Sequence, residues 1–255
     1  MKLEDAFSGD GALIGFIVAG DPGFEESFEA AETLLENGVD VLELGLAFSD
    51  PLADGPTIQA AASRAIKAGM NTDEYFRLAE KISEKYSKPL VCLGYYNMMH
   101  AYGLEEFARK CGETGIKGVI TPDLPLEEAG EFKTYLNENN VDMVFIAAET
   151  TSNERVKKLS SEGGGFLYLT AVLGVTGARD ETSKKLGETI RRVKEHSSLP
   201  VAVGFGLSTP RQIRQVLEYG ADAAIVGSAI VKENMRQDSE SLGEFIKSLK
   251  KAVTG

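Results

Sequence analysis

Short apolar runs alternate with amphipathic segments eight times along this chain of 255 residues. The apolar runs 13–20, 39–45, 89–96, 118–123, 141–148, 165–172, 199–206 and 221–227 read as strands. The segments 25–37, 104–114, 126–139, 153–161, 183–196, 210–219 and 241–253 read as helices, and the second unit carries two, 58–68 and 72–86. Runs this apolar do not suit a sheet that is wet on one face; they suit a parallel sheet covered by helices. Eight strand–helix units at this length predict an α/β fold, a (β/α)8 TIM barrel with an extra helical insertion, with 1–255 as one domain. Gly or Asn after most helices supplies the left-handed cap. A doubly wound open sheet is the alternative, weakened because GFG at 204–206 is not a GxGxxG turn and lies late in the chain.

A barrel gathers its function at the C-terminal ends of its strands, and the polar residues here gather there too. Val41, Glu43 and Gly45 share one face of the second strand, and Leu42 and Leu44 the other. A carboxylate on a buried strand is costly unless paired or used. Glu43 therefore reads either as a structural carboxylate paired with a lysine or arginine, or as one half of an acid–base site completed by Asp54. Asp54 reads alternatively as an Asx turn before Gly55–Pro56, and Asp50 and Asp21 as turn formers only. Asp123 is either structural or holds the loop after the sixth strand. Of Tyr95 and Tyr96, one is expected to face the barrel interior and the other the helices.

A second signal lies late in the chain. GFGLS at 204–208 and GSAIV at 227–231 put small residues after the seventh and eighth strands, where barrels often hold phosphate. Ser228, at a helix start, can donate its hydroxyl, and the helix N-terminus adds partial positive charge. GVTG at 174–177 can close a third side. Tight turns and helix caps are the plainer reading of the same glycines. The segment 174–182 is long for a strand-to-helix loop and is expected to act as a mobile lid.

Composition excludes several classes. The net charge is −12 and no basic cluster stands out, so no nucleic-acid partner is expected. No apolar stretch approaches the ~18 residues of a membrane span, and acids occupy the start where a signal peptide is basic and then apolar; a cytoplasmic location is expected. Cys92 and Cys111 read as buried and reduced, and His100 and His196 are too isolated for a zinc site.

The motifs LELGLAFSDPLADGPTIQ at 42–59, GFIVAGDPG at 15–23, GYYN at 94–97, PDLPLEE at 122–128, GVTGAR at 174–179, VGFGLS at 203–208 and VGSAIV at 226–231 occur in this order. With them the chain resembles the tryptophan synthase α subunit family. The resemblance implies a lyase of tryptophan biosynthesis. It would cleave indole-3-glycerol phosphate to indole and D-glyceraldehyde 3-phosphate by a retro-aldol reaction, without metal or organic cofactor. It implies Glu43 as the general acid/base at indole C3 and Asp54 as the partner of the indole nitrogen. It also implies an indole pocket of Phe16, Leu93, Tyr95 and Tyr168, and a phosphate cradle at Gly177, Phe205, Gly206, Gly227 and Ser228. Thr176 would close over substrate and orient Asp54. The implied partner is a β subunit carrying pyridoxal phosphate, in an α2β2 heterotetramer, docked around 46–57 and the loop after Tyr96. Ala47 stands where the family usually has proline, Gly15 opens the first motif without the usual PF, and 148–150 and 171–173 also depart from the pattern. The Ala47 exchange implies a less preorganised interface loop. Another phosphate-binding barrel enzyme would keep the glycine loops without the 42–59 stretch; a non-catalytic activator of the β subunit would have no need of both Glu43 and Asp54.

Overall fold

The computed structural model describes residues 2–170, 179–204 and 206–254, with the side chains of 179–183 outside that description. Its strands are β1 (Ala12–Val18), β2 (Val41–Gly45), β3 (Leu90–Leu93), β4 (Ile116–Ile120), β5 (Asp142–Val144), β6 (Ile146–Ala148), β7 (Leu167–Thr170), β8 (Val201–Gly204) and β9 (Ala223–Val226). All paired neighbours are parallel, in the order β5-β4-β3-β2-β1-β9-β8-β7-β6. The two ends of that order are consecutive in sequence. Only Phe145 separates β5 from β6, and its carbonyl accepts from the Tyr168 N–H at 3.0 Å. The expected fifth strand is thus one strand kinked at Phe145, and it completes the barrel.

The helices are α1 (Phe24–Glu36), α2 (Pro56–Lys67), α3 (Thr72–Lys85), α4 (Tyr96–Tyr102), α5 (Leu104–Glu113), α6 (Gly130–Glu138), α7 (Asn153–Glu162), α8 (Arg179–His196), α9 (Pro210–Glu218), α10 (Ser228–Asn234) and α11 (Ser239–Thr254). The extra helices of the (β/α)8 plan include α2 with α3 after β2, and α10 before α11.

Strand periodicity divides the core. Ala12, Ile14, Val41, Val91, Ile120, Val144, Phe166, Tyr168, Ala202, Ala223 and Ile225 fill the barrel. Their sequence neighbours, among them Leu13, Leu42, Leu44, Cys92 and Val119, pack outward under the helices. Glu43 lies between Leu42 and Leu44 on β2 and therefore points inward with Val41. The N-terminal mouth is plugged by Leu3 and a 3-10 turn, Glu4–Phe7, whose Phe7 ring lies 5.4 Å from that of Phe166. A β-carbon on Gly165 would come within 2.4 Å of Leu3, so glycine there makes room for the plug. The open end is the opposite one, where the strands finish.

Three expectations are corrected. The third strand stops at Leu93, and Tyr95 and Tyr96 begin a helix instead: the Asp123 carboxylate accepts from the Tyr96 N–H at 2.9 Å and holds the start of α4. Neither tyrosine therefore continues a strand face. The expected helix 126–139 is a 3-10 turn, Leu126–Glu128, followed by α6, because the chain steps at Ala129. The sixth-unit helix begins at Arg179, so 179–182 of the expected lid are helical; 171–178 lie outside the described residues.

Candidate active site

Glu43 is 1% exposed, and its Oε2 has no hydrogen-bond partner among the described residues. No cation pairs with it there either. Burial strips a charged carboxylate of solvation in that position and raises its pKa to about 8, with the nearby Asp54 charge adding to the rise. Among the described residues no lysine or arginine pairs with Glu43, which speaks for the acid–base reading over the structural pair. A group protonated near neutrality can both give and take a proton.

Asp54 lies in the loop between β2 and α2, two residues before the helix opens at Pro56. It is half-buried, and its side chain does not make the expected turn bond. Instead its Oδ2 accepts from the Tyr95 hydroxyl at 3.0 Å, and that hydroxyl accepts from the Ala53 N–H at 2.9 Å. Burial raises the Asp54 pKa, and the Tyr95 hydrogen bond opposes the rise. Tyr95, pushed up to about 12 chiefly by burial, stays a neutral donor. Gln59 Nε2 donates to the Asp54 carbonyl at 2.8 Å, so the backbone is held as well. Asp50 only accepts from the Ser49 hydroxyl, in keeping with a turn.

The wall between the carboxylates and the glycine loops is aromatic. Phe16 sits opposite Glu43 in the β1–β2 register. A β-carbon on Gly45 would lie 2.7 Å from its ring and one on Gly227 3.4 Å from it, so the ring spans from the end of β2 to the end of β9. Leu93, at the end of β3, pairs in register with Gly45. Tyr168 is buried inside the barrel, its pKa raised by burial and then by the charges of Glu43 and Asp54. Its hydroxyl would meet a β-carbon on Gly204 at 2.4 Å, so glycine at the end of β8 makes room for the ring.

Gly206 follows β8 with φ +86, a left-handed backbone natural to glycine. Gly227 caps α10, and Ser228 is its first residue and exposed. β8 and β9 are neighbours with Val203 opposite Ala224, so these loops leave the barrel side by side. Gly206, Gly227 and Ser228 thus share one side of the mouth, with Phe16 reaching from it toward Glu43. Thr176, Gly177 and Phe205 lie outside the described residues.

The sequence reading passed over two features. Asp21, read as a bare turn former, is buried and bound through both oxygens to Arg64 at 2.7 and 2.8 Å. The signal was an arginine on the otherwise alanine-rich inner half of α2. Tyr95, read as a pocket wall, is also the hydrogen-bond anchor of Asp54; nothing in spacing alone pairs residues 41 positions apart. Among the described residues, no cluster of His, Cys, Asp and Glu is arranged to hold a metal ion, and no helix is long and apolar enough to cross a membrane.

Comparison with known proteins agrees over almost the full length. The profile of the family "Tryptophan synthase alpha chain" matches residues 4–253. The tryptophan synthase alpha chain of Methanosarcina barkeri is 45% identical, with 99% of this chain and 97% of that one covered. A solved structure from Aquifex aeolicus VF5 superposes with a TM-score of 0.91 at 34% identity, covering 99% of both chains. A chain from the tryptophan synthase α2β2 complex of Pyrococcus furiosus superposes with a TM-score of 0.87 at 34% identity, covering 96% of this chain and 99% of that one. The barrel, its buried carboxylate and these relatives lead to one assignment: the chain belongs to the tryptophan synthase alpha chain family.

Proposed function

We propose that Glu43 and Asp54 cleave indole-3-glycerol phosphate to indole and D-glyceraldehyde 3-phosphate, and that the chain passes indole to a β subunit. The observation that carries this is the buried Glu43 carboxyl, whose Oε2 has no partner among the described residues, aimed into the barrel near a second carboxylate held by Tyr95. Breaking the bond from C3 to the glycerol chain first requires C3 to gain a proton. Glu43, protonated near neutrality, is the group to supply it. Protonation at C3 moves positive charge toward the ring nitrogen, and Asp54 stabilises that charge. As the C3–carbon bond breaks, its electron pair restores the indole ring. The glycerol hydroxyl forms the aldehyde and gives its proton to the Glu43 carboxylate, which is thereby reset. Phe16, Leu93 and Tyr168 give the indole ring an apolar slot. The backbone N–H groups near Gly206, Gly227 and Ser228 receive the phosphate without a lysine; Gly177, Phe205 and Thr176, outside the described residues, are assigned to substrate binding by the family resemblance alone.

The α reaction uses no cofactor of its own; pyridoxal phosphate belongs to the β subunit of the α2β2 complex. Residues 1–255 serve as one barrel domain, and a cytoplasmic location suits an enzyme of amino-acid biosynthesis acting on a phosphorylated intermediate. Incubating the purified chain with indole-3-glycerol phosphate and following indole by chromatography tests the reading. Release of indole and glyceraldehyde 3-phosphate in equal amounts is expected. No release, alone or with a β subunit present, would return the chain to the wider class of phosphate-binding barrels.

A further inference from the structure

The backbone that presents Asp54 runs straight into α2, so the position of this helix sets the position of the carboxylate. Little in α2 itself fixes that position. It opens at Gly55 without a side-chain cap, and its buried residues are Ala61, Ala62 and Ala65. Apart from the partly buried Ile58 this is an alanine face, which packs smoothly and offers few interlocking side chains against sliding. The contact that does fix the helix is Arg64. Its Nε donates to Asp21 Oδ1 at 2.7 Å and its Nη2 to Asp21 Oδ2 at 2.8 Å. A fork-to-fork pair sets direction as well as distance. The Asp21 side chain is 4% exposed and that of Arg64 31%, so the bond is shielded from competing water on the Asp21 side.

Asp21 lies three residues after the end of β1, the strand whose Phe16 spans the mouth. α2 packs against β1 and against α10, the helix that begins at Ser228. The pair therefore ties the Asp54 loop to the same strand end that frames the glycine side of the mouth. Gln59, one turn into α2, transmits this to the loop by gripping the Asp54 carbonyl.

We propose that Arg64 and Asp21 are positioning residues for Asp54, acting through α2 and Gln59. The proposal rests on the lyase reading, because Asp54 matters most as charge develops on the substrate nitrogen. A small misplacement then lowers kcat far more than KM, since the phosphate end of the substrate is held elsewhere.

Arg64→Lys and Asp21→Asn test it. Lysine keeps a charge on buried Asp21, so this variant retains the fold while losing the fork. Both variants are expected to lose about 10- to 100-fold in kcat with KM changed less than about threefold. The double variant is expected to be no worse than the weaker single, because the two act as a unit. Hydrogen exchange at the Ala53 amide, bound to the Tyr95 hydroxyl, gives a readout that needs no turnover. Its protection is expected to fall in both variants at temperatures where the fold is intact. A lower melting temperature with kcat within about twofold of wild type and Ala53 protection unchanged overturns the proposal and leaves a plain structural ion pair. If the wild-type chain releases no indole, the lyase reading fails, while the Ala53 exchange still decides whether the pair holds the loop.

Discussion

At the scale of single residues, the protein keeps a carboxyl group where water cannot solvate its charge. For Glu43 the folded pKa of about 8 lies above the ordinary 4.5. Below pH 4.5 the group is protonated whether the chain is folded or not, and stability is unaffected by it. From there to about pH 8 the unfolded chain loses the proton and the folded one keeps it, so stability falls as pH rises and then levels off. The penalty at the alkaline end is on the order of 5 kcal/mol. Glu43→Gln removes it. Thermal unfolding of the Gln variant should match wild type near pH 4, exceed it increasingly up to about pH 8 and by a constant margin above that, while turnover falls by about three or more orders of magnitude. A stability difference independent of pH would mean that Glu43 is not desolvated. Tyr95→Phe probes the other carboxylate. It removes a hydrogen bond to Asp54 that favours the charged form, so the Asp54 pKa rises and the acidic limb of kcat/KM moves to higher pH. A roughly tenfold loss of kcat is expected to accompany it. An unmoved limb in pH–rate profiles would remove Tyr95 as the anchor.

At the scale of elements, the site is a meeting of strand ends, and the alternation of apolar runs made those strands legible. Period two put Glu43 on one face with Val41 and Gly45, the packed core showed that face to be the inner one, and the side-by-side exit of the loops after β8 and β9 followed from barrel order. What escaped was local: α4 in place of a strand end, the kink at Phe145, and the 3-10 turn that plugs the barrel floor. These depend on long-range partners such as Asp123 with the Tyr96 N–H, which no window of sequence contains. The link from Asp21 to Arg64 escaped for the same reason, whereas the apolar wall was named only through the family resemblance. The glycine loops allow a controlled test. Gly206 at φ +86 and Gly220 at φ +103 both sit in the left-handed region, but only Gly206 is at the mouth. An alanine at either position costs about 1–2 kcal/mol of backbone strain. Gly206→Ala is expected to raise KM about fivefold or more, and Gly220→Ala to lower the melting temperature similarly with KM unchanged. Equal KM values for the two variants, measured by indole release, would place the anion elsewhere.

At the scale of the whole molecule, the same loop that supplies Asp54 faces outward on its other side. Ala47 does not point to a partner: it is 7% exposed and packs in the outer core, so the missing proline changes backbone stiffness rather than contact surface. Leu52 does point outward, 94% exposed, a large apolar side chain five residues from Ala47 and two from Asp54. An isolated apolar residue on a surface is ordinary. Here it lies in the 46–57 loop, where the resemblance places the β subunit, and its backbone is continuous with Asp54, the carboxylate proposed to act on the substrate nitrogen. Docking a partner on Leu52 would order the loop and so place Asp54, which makes β binding and α turnover two readings of one equilibrium. Leu52→Glu is therefore expected to leave the turnover of the isolated chain within about twofold, since the side chain reaches no group of the site. It should weaken the β complex by about 30-fold or more, the scale of losing a buried apolar anchor and burying a charge in its place. Titrating β subunit into wild type and variant, with indole-3-glycerol phosphate cleavage followed throughout, separates the two effects. The variant's activation curve should shift to higher β concentration with the same starting rate. Superimposable curves would move the interface away from this loop, and a lower starting rate would show that Leu52 supports Asp54 even without a partner.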